Sequence, residues 1–162
     1  MYTEQAFIQA IQDNQKIVHK VCNLYMQNAQ DKEDLFQEIL LNAWKGVSNF
    51  KGDSKFSTWL YRVALNTAIT FFRKDQRQVE TTELKEQLSE IAENTYKQEE
   101  QMIAMHKAIA TLSKIDKALV MLYLEDCDYH EIGSIMGISA NNVAVKINRL
   151  KIKLKESSKK YL

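Results

Sequence analysis

The sequence predicts an all-α protein of two small helical domains joined by a flexible acidic linker, the second domain carrying a helix-turn-helix. Three observations predict it. The 162 residues include no proline and only four glycines, so long helices with few sharp turns are the natural outcome. Apolar residues recur at helical spacing before residue 77 and again after residue 100. Between these stretches Gln, Glu and Thr dominate and the periodicity fades. The domains are therefore 1–76 and 101–162, with 77–100 as the linker.

The net charge of +1 hides a strong asymmetry. Residues 78–101 carry seven glutamates against Lys85 and Lys97, a net of −5, whereas 146–160 carry seven bases against Glu156, a net of +6. The basic C-terminal segment suits a nucleic-acid partner even though the whole chain is nearly neutral. Cys22 and Cys127 stand far apart and unaccompanied, which points to free thiols in a reducing compartment. No apolar run approaches the roughly 18 residues of a membrane span, and no signal peptide opens the chain. The expectation is a soluble cytoplasmic protein with no membrane insertion.

From Thr3 to about Asn28, Phe7, Ile8, Ile11, Ile17, Val18, Val21, Leu24 and Tyr25 form an apolar stripe that Asp13 and Asn14 break into two helices. A further helix is expected to begin at a capping Asp31, with Asp34 at its third position. It would bury Leu35, Phe36, Ile39, Leu40, Ala43 and Trp44 as far as Val47. Its other face carries Glu33, Asp34, Gln37, Glu38, Leu41, Asn42 and Lys45, either a solvated surface or a docking surface for a basic partner. Next comes a loop with Lys51, Asp53, Ser54 and Lys55, and then a helix to about Lys74 capped by Ser54 or Ser57. Phe50, Phe56, Trp59, Tyr61, Phe71 and Phe72 place six of the chain's fifteen aromatics here, among Lys51, Lys55, Arg62, Arg73, Lys74 and Arg77. Rings among cations suit single-stranded nucleic acid, because bases stack on rings while cations follow the backbone. Trp59, Phe71 and Phe72 read as core, and Phe56, Tyr61, Arg62 and Asn66 as candidates for contact.

After the linker a helix resumes at Met102, packing through Ile103, His106, Ile109 and Ala110. Ser113 caps the next helix with Asp116 at its third position, and Ala118, Leu119, Met121, Leu122, Tyr123 and Leu124 fill it. Asp128 to Leu154 then reads as two helices about one tight turn. Asp128 and Ser139 are the caps, Gly137 supplies the left-handed turn, and Gly133, mid-helix, marks a close helix crossing. On the last helix Val143, Ile147, Leu150 and Leu154 share one face, and Asn141, Asn142, Val145, Asn148 and Arg149 the other. The second set suits base edges in a major groove: Asn for adenine, Arg for guanine, Val for a thymine methyl. Lys146, Lys151, Lys153 and Lys155 flank it for phosphates.

The block Asp34-Leu-Phe-Gln-Glu-Ile-Leu-Leu-Asn-Ala-Trp44, followed by Phe50-Lys-Gly-Asp-Ser-Lys-Phe-Ser-Thr-Trp-Leu-Tyr-Arg-Val-Ala-Leu-Asn66, closely resembles the first conserved domain of bacterial sigma factors. The likeness is greatest to the short, two-domain extracytoplasmic-function group, whose spacing to a C-terminal helix-turn-helix also fits. The resemblance covers about 3–74 and 101–156. It implies an alternative sigma factor that recruits core RNA polymerase to particular promoters and helps melt them. Asp34, Gln37, Glu38, Leu41, Asn42 and Lys45 would dock on polymerase. Lys51, Asp53, Ser54, Lys55, Phe56, Thr58, Tyr61, Arg62, Asn66 and Arg73 would recognise and open the −10 element, capturing a flipped base. Ser139, Asn141, Asn142, Val145, Lys146, Arg149 and Lys153 would read the −35 duplex. The resemblance also implies an anti-sigma factor as a partner. Two departures stand out: Ser113 replaces the family's common proline, and Asn141-Asn142 replaces a frequent Gly-Thr, which implies an altered −35 preference.

Without the resemblance two rival readings stay open: a dimeric helix-turn-helix regulator of closed duplex, and a helical adaptor that binds only protein. The first leaves the 50–66 block without a task, and the second leaves Asn141, Asn142, Lys146 and Arg149 unexplained. Cys127-x-x-His130 is half of a zinc pattern with no second pair, and His130-Glu131 lacks the second histidine of a metalloprotease helix. With no phosphate loop, nucleophile elbow or paired carboxylates either, no enzyme, metal or cofactor is expected.

Overall fold

Thr3 opens α1 (Glu4–Asp13), its hydroxyl accepting the Ala6 N–H at 3.1 Å. Asn14 closes it, donating its side-chain amide to the Ala10 carbonyl at 2.8 Å, and α2 (Gln15–Tyr25) follows at once. The structure, a computed structural model, describes residues 2–74 and 96–162. Of the linker expected over 77–100, residues 77–95 lie outside the described residues, and 96–100 are helical.

The next helix, α3 (Ala29–Gly46), starts earlier than expected. Its cap is Asn28, whose side-chain oxygen accepts the Asp31 N–H at 2.7 Å while its amide donates to the Asp31 carboxylate at 2.8 Å. Asp31 therefore sits inside the first turn, because the reciprocal pairing satisfies the helix start three residues upstream. A 3-10 turn (Val47–Asn49) and a loop lead to α4 (Phe56–Lys74). The Lys55 carbonyl accepts the first bond of α4, from Trp59 N at 3.1 Å. Neither expected serine caps it: Ser54 donates to the Lys55 carbonyl at 3.3 Å, and Ser57 lies within the first turn.

The chain divides into two units, Met1–Val79 and Glu80–Leu162. In the first, α2, α3 and α4 pack on one another around Val18, Val21, Leu35, Ile39, Leu60 and Leu65, all buried. Of the expected core residues in this unit, Leu24, Phe36, Leu40, Trp59 and Phe71 are only half-buried, and two are exposed. Ile8 is exposed, because short α1 faces the core only through the Phe7 and Ile11 row. Trp44 is 45% exposed, because neighbouring Ala43 takes the buried position and the indole lies over Phe7 at 5.1 Å.

The second unit begins with α5 (Tyr96–Ala110), which reaches six residues further upstream than the start expected at Met102. Its buried face is Ala104 and Ala108; His106 and Ala110 are exposed. Small side chains there let α5 pack closely on the final helix, so the contact face is rotated from the one that the larger residues suggested. Ser113 caps α6 (Lys114–Leu124), accepting the Asp116 N–H at 3.2 Å. Ala118, Leu119, Met121 and Leu122 are buried, whereas Tyr123 and Leu124 are exposed. Asp126 takes a left-handed conformation (φ 61°) to turn the chain, one of the few residue types that tolerate it. Two helices follow, α7 (Tyr129–Met136) and α8 (Ala140–Lys159). Among the described residues no helix is long and apolar enough to cross a membrane.

Candidate nucleic-acid and polymerase interfaces

The helix-turn-helix is built by backbone chemistry. Asp128 accepts the Glu131 N–H at 2.8 Å, and this bond holds its carboxyl below the usual carboxylate range. Gly137 sits at φ 74°, and the Gly133 carbonyl accepts from both Gly137 N (2.8 Å) and Ile138 N (3.0 Å). A Cβ on Gly133 would meet the Ile138 carbonyl oxygen at 2.6 Å. In place of the helix crossing expected at Gly133, the close approach is to the backbone of the turn itself, which folds back over α7. Ser139 caps α8 by accepting the Asn142 N–H at 3.1 Å.

Helix α8 presents the two faces that its spacing predicts. Val143, Ile147, Leu150 and Leu154 are buried. Ser139, Asn141, Asn142, Lys146, Asn148, Arg149 and Lys153 are exposed, with Val145 among them at 48%. One expected phosphate contact turns elsewhere: the Lys151 ammonium lies 4.5 Å from the Tyr123 ring, and the hydrogen bond with the Tyr123 hydroxyl raises its pKa. Lys151 and Lys155 edge an apolar groove of about 290 Å³ between α5, α6 and α8, lined also by Met105, Tyr123 and Leu124. The sequence reading missed this groove; its signal is three large residues falling outside the buried phase of their helices.

In the first unit the 51–55 loop is exposed throughout, turning at Gly52 (φ 77°). Thr58, Arg62 and Asn66 recur every four residues along one face of α4; Arg62 and Asn66 are exposed and Thr58 half-buried. Tyr61, a candidate for stacking on a base, is only 8% exposed and belongs to the core. Its position one residue from Arg62 turns it about a quarter-turn away from that face. Phe56 is half-buried in a ring cluster with Phe50 (6.0 Å), Trp59 (5.4 Å) and Tyr2 (5.7 Å). The side chain of Arg73 lies outside the described residues.

On α3, Asp34, Gln37, Leu41 and Lys45 are exposed and Glu38 is half-buried. Asn42 is partly committed: its amide donates to the Thr67 hydroxyl at 3.0 Å, tying α3 to α4. Exposed Trp44 adds an aromatic ring three residues from Leu41, on a face expected to be polar.

Residues 10–78 match the family Sigma-70 region 2, and residues 102–154 match Sigma-70, region 4. The ECF RNA polymerase sigma-E factor of Escherichia coli (strain K12) is 31% identical over 146 residues, which cover 81% of this chain and 76% of that protein. The chain belongs to the extracytoplasmic-function sigma factors. It is an alternative sigma factor that directs RNA polymerase to promoters. The ECF RNA polymerase sigma factor SigW of Bacillus subtilis (strain 168) is 26% identical over 159 residues, 90% of this chain and 85% of that one. The fold matches the sigma factor RpoE in its complex with the anti-sigma factor NepR from Bartonella quintana, with a TM-score of 0.71, 18% identity, and 94% and 96% of the two chains covered.

The sigma factor holds its two cysteines as thiols. Burial pushes Cys22 up to about 11, and burial with the carboxylates of Glu131, Glu125, Asp128 and Asp126 pushes Cys127 up to about 11. Among the described residues no three His, Cys, Asp or Glu side chains gather as metal ligands.

Proposed function

We propose that this sigma factor divides promoter recognition between its two units, 1–76 serving polymerase binding and −10 melting and 101–162 serving −35 recognition, with 77–100 joining them. The observation that carries this reading is that each unit exposes its own polar face, Arg62 and Asn66 on α4 and Asn141, Asn142 and Arg149 on α8, over an intact apolar core. The first face adjoins a basic, ring-bordered loop suited to unpaired bases. The second is a helix face without acidic groups from Ser139 to Lys155, suited to a major groove.

Asp34, Gln37, Glu38, Leu41 and Lys45 dock on core polymerase, with Trp44 extending their surface. Asn42 contributes by fixing α3 against α4 and Tyr61 by supporting α4 from within, so neither needs to touch the partner directly. Lys51, Asp53, Ser54, Lys55, Phe56, Thr58, Arg62, Asn66 and Arg73 handle the −10 element. Ser139 seats α8, and Asn141, Asn142, Val145, Lys146, Arg149 and Lys153 read the −35 element. The sigma factor acts in the cytoplasm with no cofactor, and the chemistry of RNA synthesis belongs to the polymerase. An anti-sigma factor covers the docking faces when the protein is held inactive; what supports such a partner is that RpoE, which shares the fold, was solved with the anti-sigma factor NepR.

The test adds the purified protein to core polymerase and a genomic promoter library and sequences the transcripts. New start sites sharing −10 and −35 elements are expected. On such a promoter Asn66→Ala should leave closed-duplex binding intact and slow opening; equal losses in both steps would overturn the division of labour.

A further inference from the structure

The loop between the 3-10 turn and α4 has little hydrogen bonding of its own. Among the described residues its bonds are Phe50 N to the Val47 carbonyl at 3.1 Å, Ser54 to the Lys55 carbonyl at 3.3 Å and, from α4, Trp59 N to that same carbonyl at 3.1 Å. Its five central residues are exposed, and Gly52 meets nothing within 4 Å of where a Cβ would stand. Its shape is set at its ends. Phe50 and Phe56 meet edge to face at 6.0 Å and 86°, and each lies 5.4 Å from Trp59. The fourth ring of the cluster comes from outside the α3–α4 segment: Tyr2 lies 5.9 Å from Phe50 and 5.7 Å from Phe56, spanning both ends of the loop.

We infer that Tyr2 is a positioning residue for −10 recognition: its ring clamps the two ends of the 50–56 loop, so the loop meets unpaired DNA already shaped. The inference rests on reading this loop as part of the −10 interface. A loop of five exposed residues with a glycine at its turn has many conformations, and capturing a flipped base would otherwise cost the entropy of choosing one. Ring pairs at these separations contribute beyond their buried area, and Tyr2 makes two of them. Tyr2 precedes α1 and lies outside every described helix, so its removal leaves the helical core in place.

Two measurements on the full-length protein test this. The first is limited trypsin cleavage at Lys51 and Lys55; the second is permanganate reactivity of −10 thymines in the holoenzyme on a promoter found by transcript mapping. Tyr2→Ala should speed cleavage at both lysines and slow opening by about three- to tenfold each, with core binding unchanged. Tyr2→Phe should restore both. Should the alanine variant melt early, Tyr2→Leu, which keeps apolar bulk without a ring, carries the same expectations. Unchanged cleavage, or faster cleavage with unchanged opening, overturns the clamp. Asn66→Ala separates the two layers of argument: slowed opening there with none in Tyr2→Ala defeats the clamp alone. Normal opening in both variants defeats the −10 reading of the loop as well.

Discussion

Gly133 shows how one missing side chain can set a motif. The Ile138 carbonyl oxygen lies 2.6 Å from where its Cβ would be, and the obstacle is backbone, which cannot swing aside. Gly133→Ala is expected to destabilise the protein by about 1–3 kcal/mol through overpacking, measured by urea unfolding. Cys22 gives a second residue-scale expectation. Its folded thiol titrates at about 11 against an ordinary 9.0, so the folded state keeps its proton longer than the unfolded chain. The sign follows: stability from this group is complete below pH 9.0 and is lost as the pH rises toward 11. Unfolding midpoints measured across that range should fall, and Cys22→Ala should flatten part of the slope.

Helix α8 does two jobs at once. Val143, Ile147, Leu150 and Leu154 hold the second unit together, and the opposite face carries Asn141, Asn142, Val145 and Arg149. Substitutions on the outer face should therefore change DNA binding with little effect on stability. Arg149→Ala should lose roughly 1–3 kcal/mol at one −35 position and relax specificity there, read from a panel of single-base duplex variants. Lys153→Ala should weaken binding across all sequences and reduce the salt slope by about one unit. Lys151 belongs to a different interaction. Held over Tyr123 at 4.5 Å, it links α8 to α6, so Lys151→Ala should change the salt slope less than Lys153→Ala does.

At the scale of the whole molecule, the two candidate faces lie in separate units, Asn66 in Met1–Val79 and Arg149 in Glu80–Leu162. Each face stands on the apolar core of its own unit, so their effects on promoter affinity should be independent. The free-energy losses of Asn66→Ala and Arg149→Ala should add to within about 0.5 kcal/mol in the double variant, measured with holoenzyme on one promoter. A larger coupling would mean that the two units read DNA through one shared rearrangement. Two modest grips in series can also select a promoter that neither selects alone, because their contributions multiply in affinity.

The helices, their order and the caps of the last three were legible in the chain. Period-3.6 patterning and short-range capping act within a few residues, so Ser113, Asp128, Gly137 and Ser139 announce themselves. Both polar faces were legible for the same reason, and the resemblance of the 34–66 block gave them a purpose. What the chain alone left undecided was which of several adjacent apolar or polar residues a neighbouring helix would choose. Trp44 and Ile8 fell outside the core, Tyr61 fell inside it, α5 packed through Ala104 and Ala108, and the amide of Asn42 went to Thr67. Each outcome turns on the exact rotation of one helix against another, and a rotation of one residue is 100°. The clamp of Tyr2 on the 50–56 loop is the plainest case. Forty-eight positions separate Tyr2 from Phe50, and only the folding of α1, α2 and α3 brings their rings within 5.9 Å.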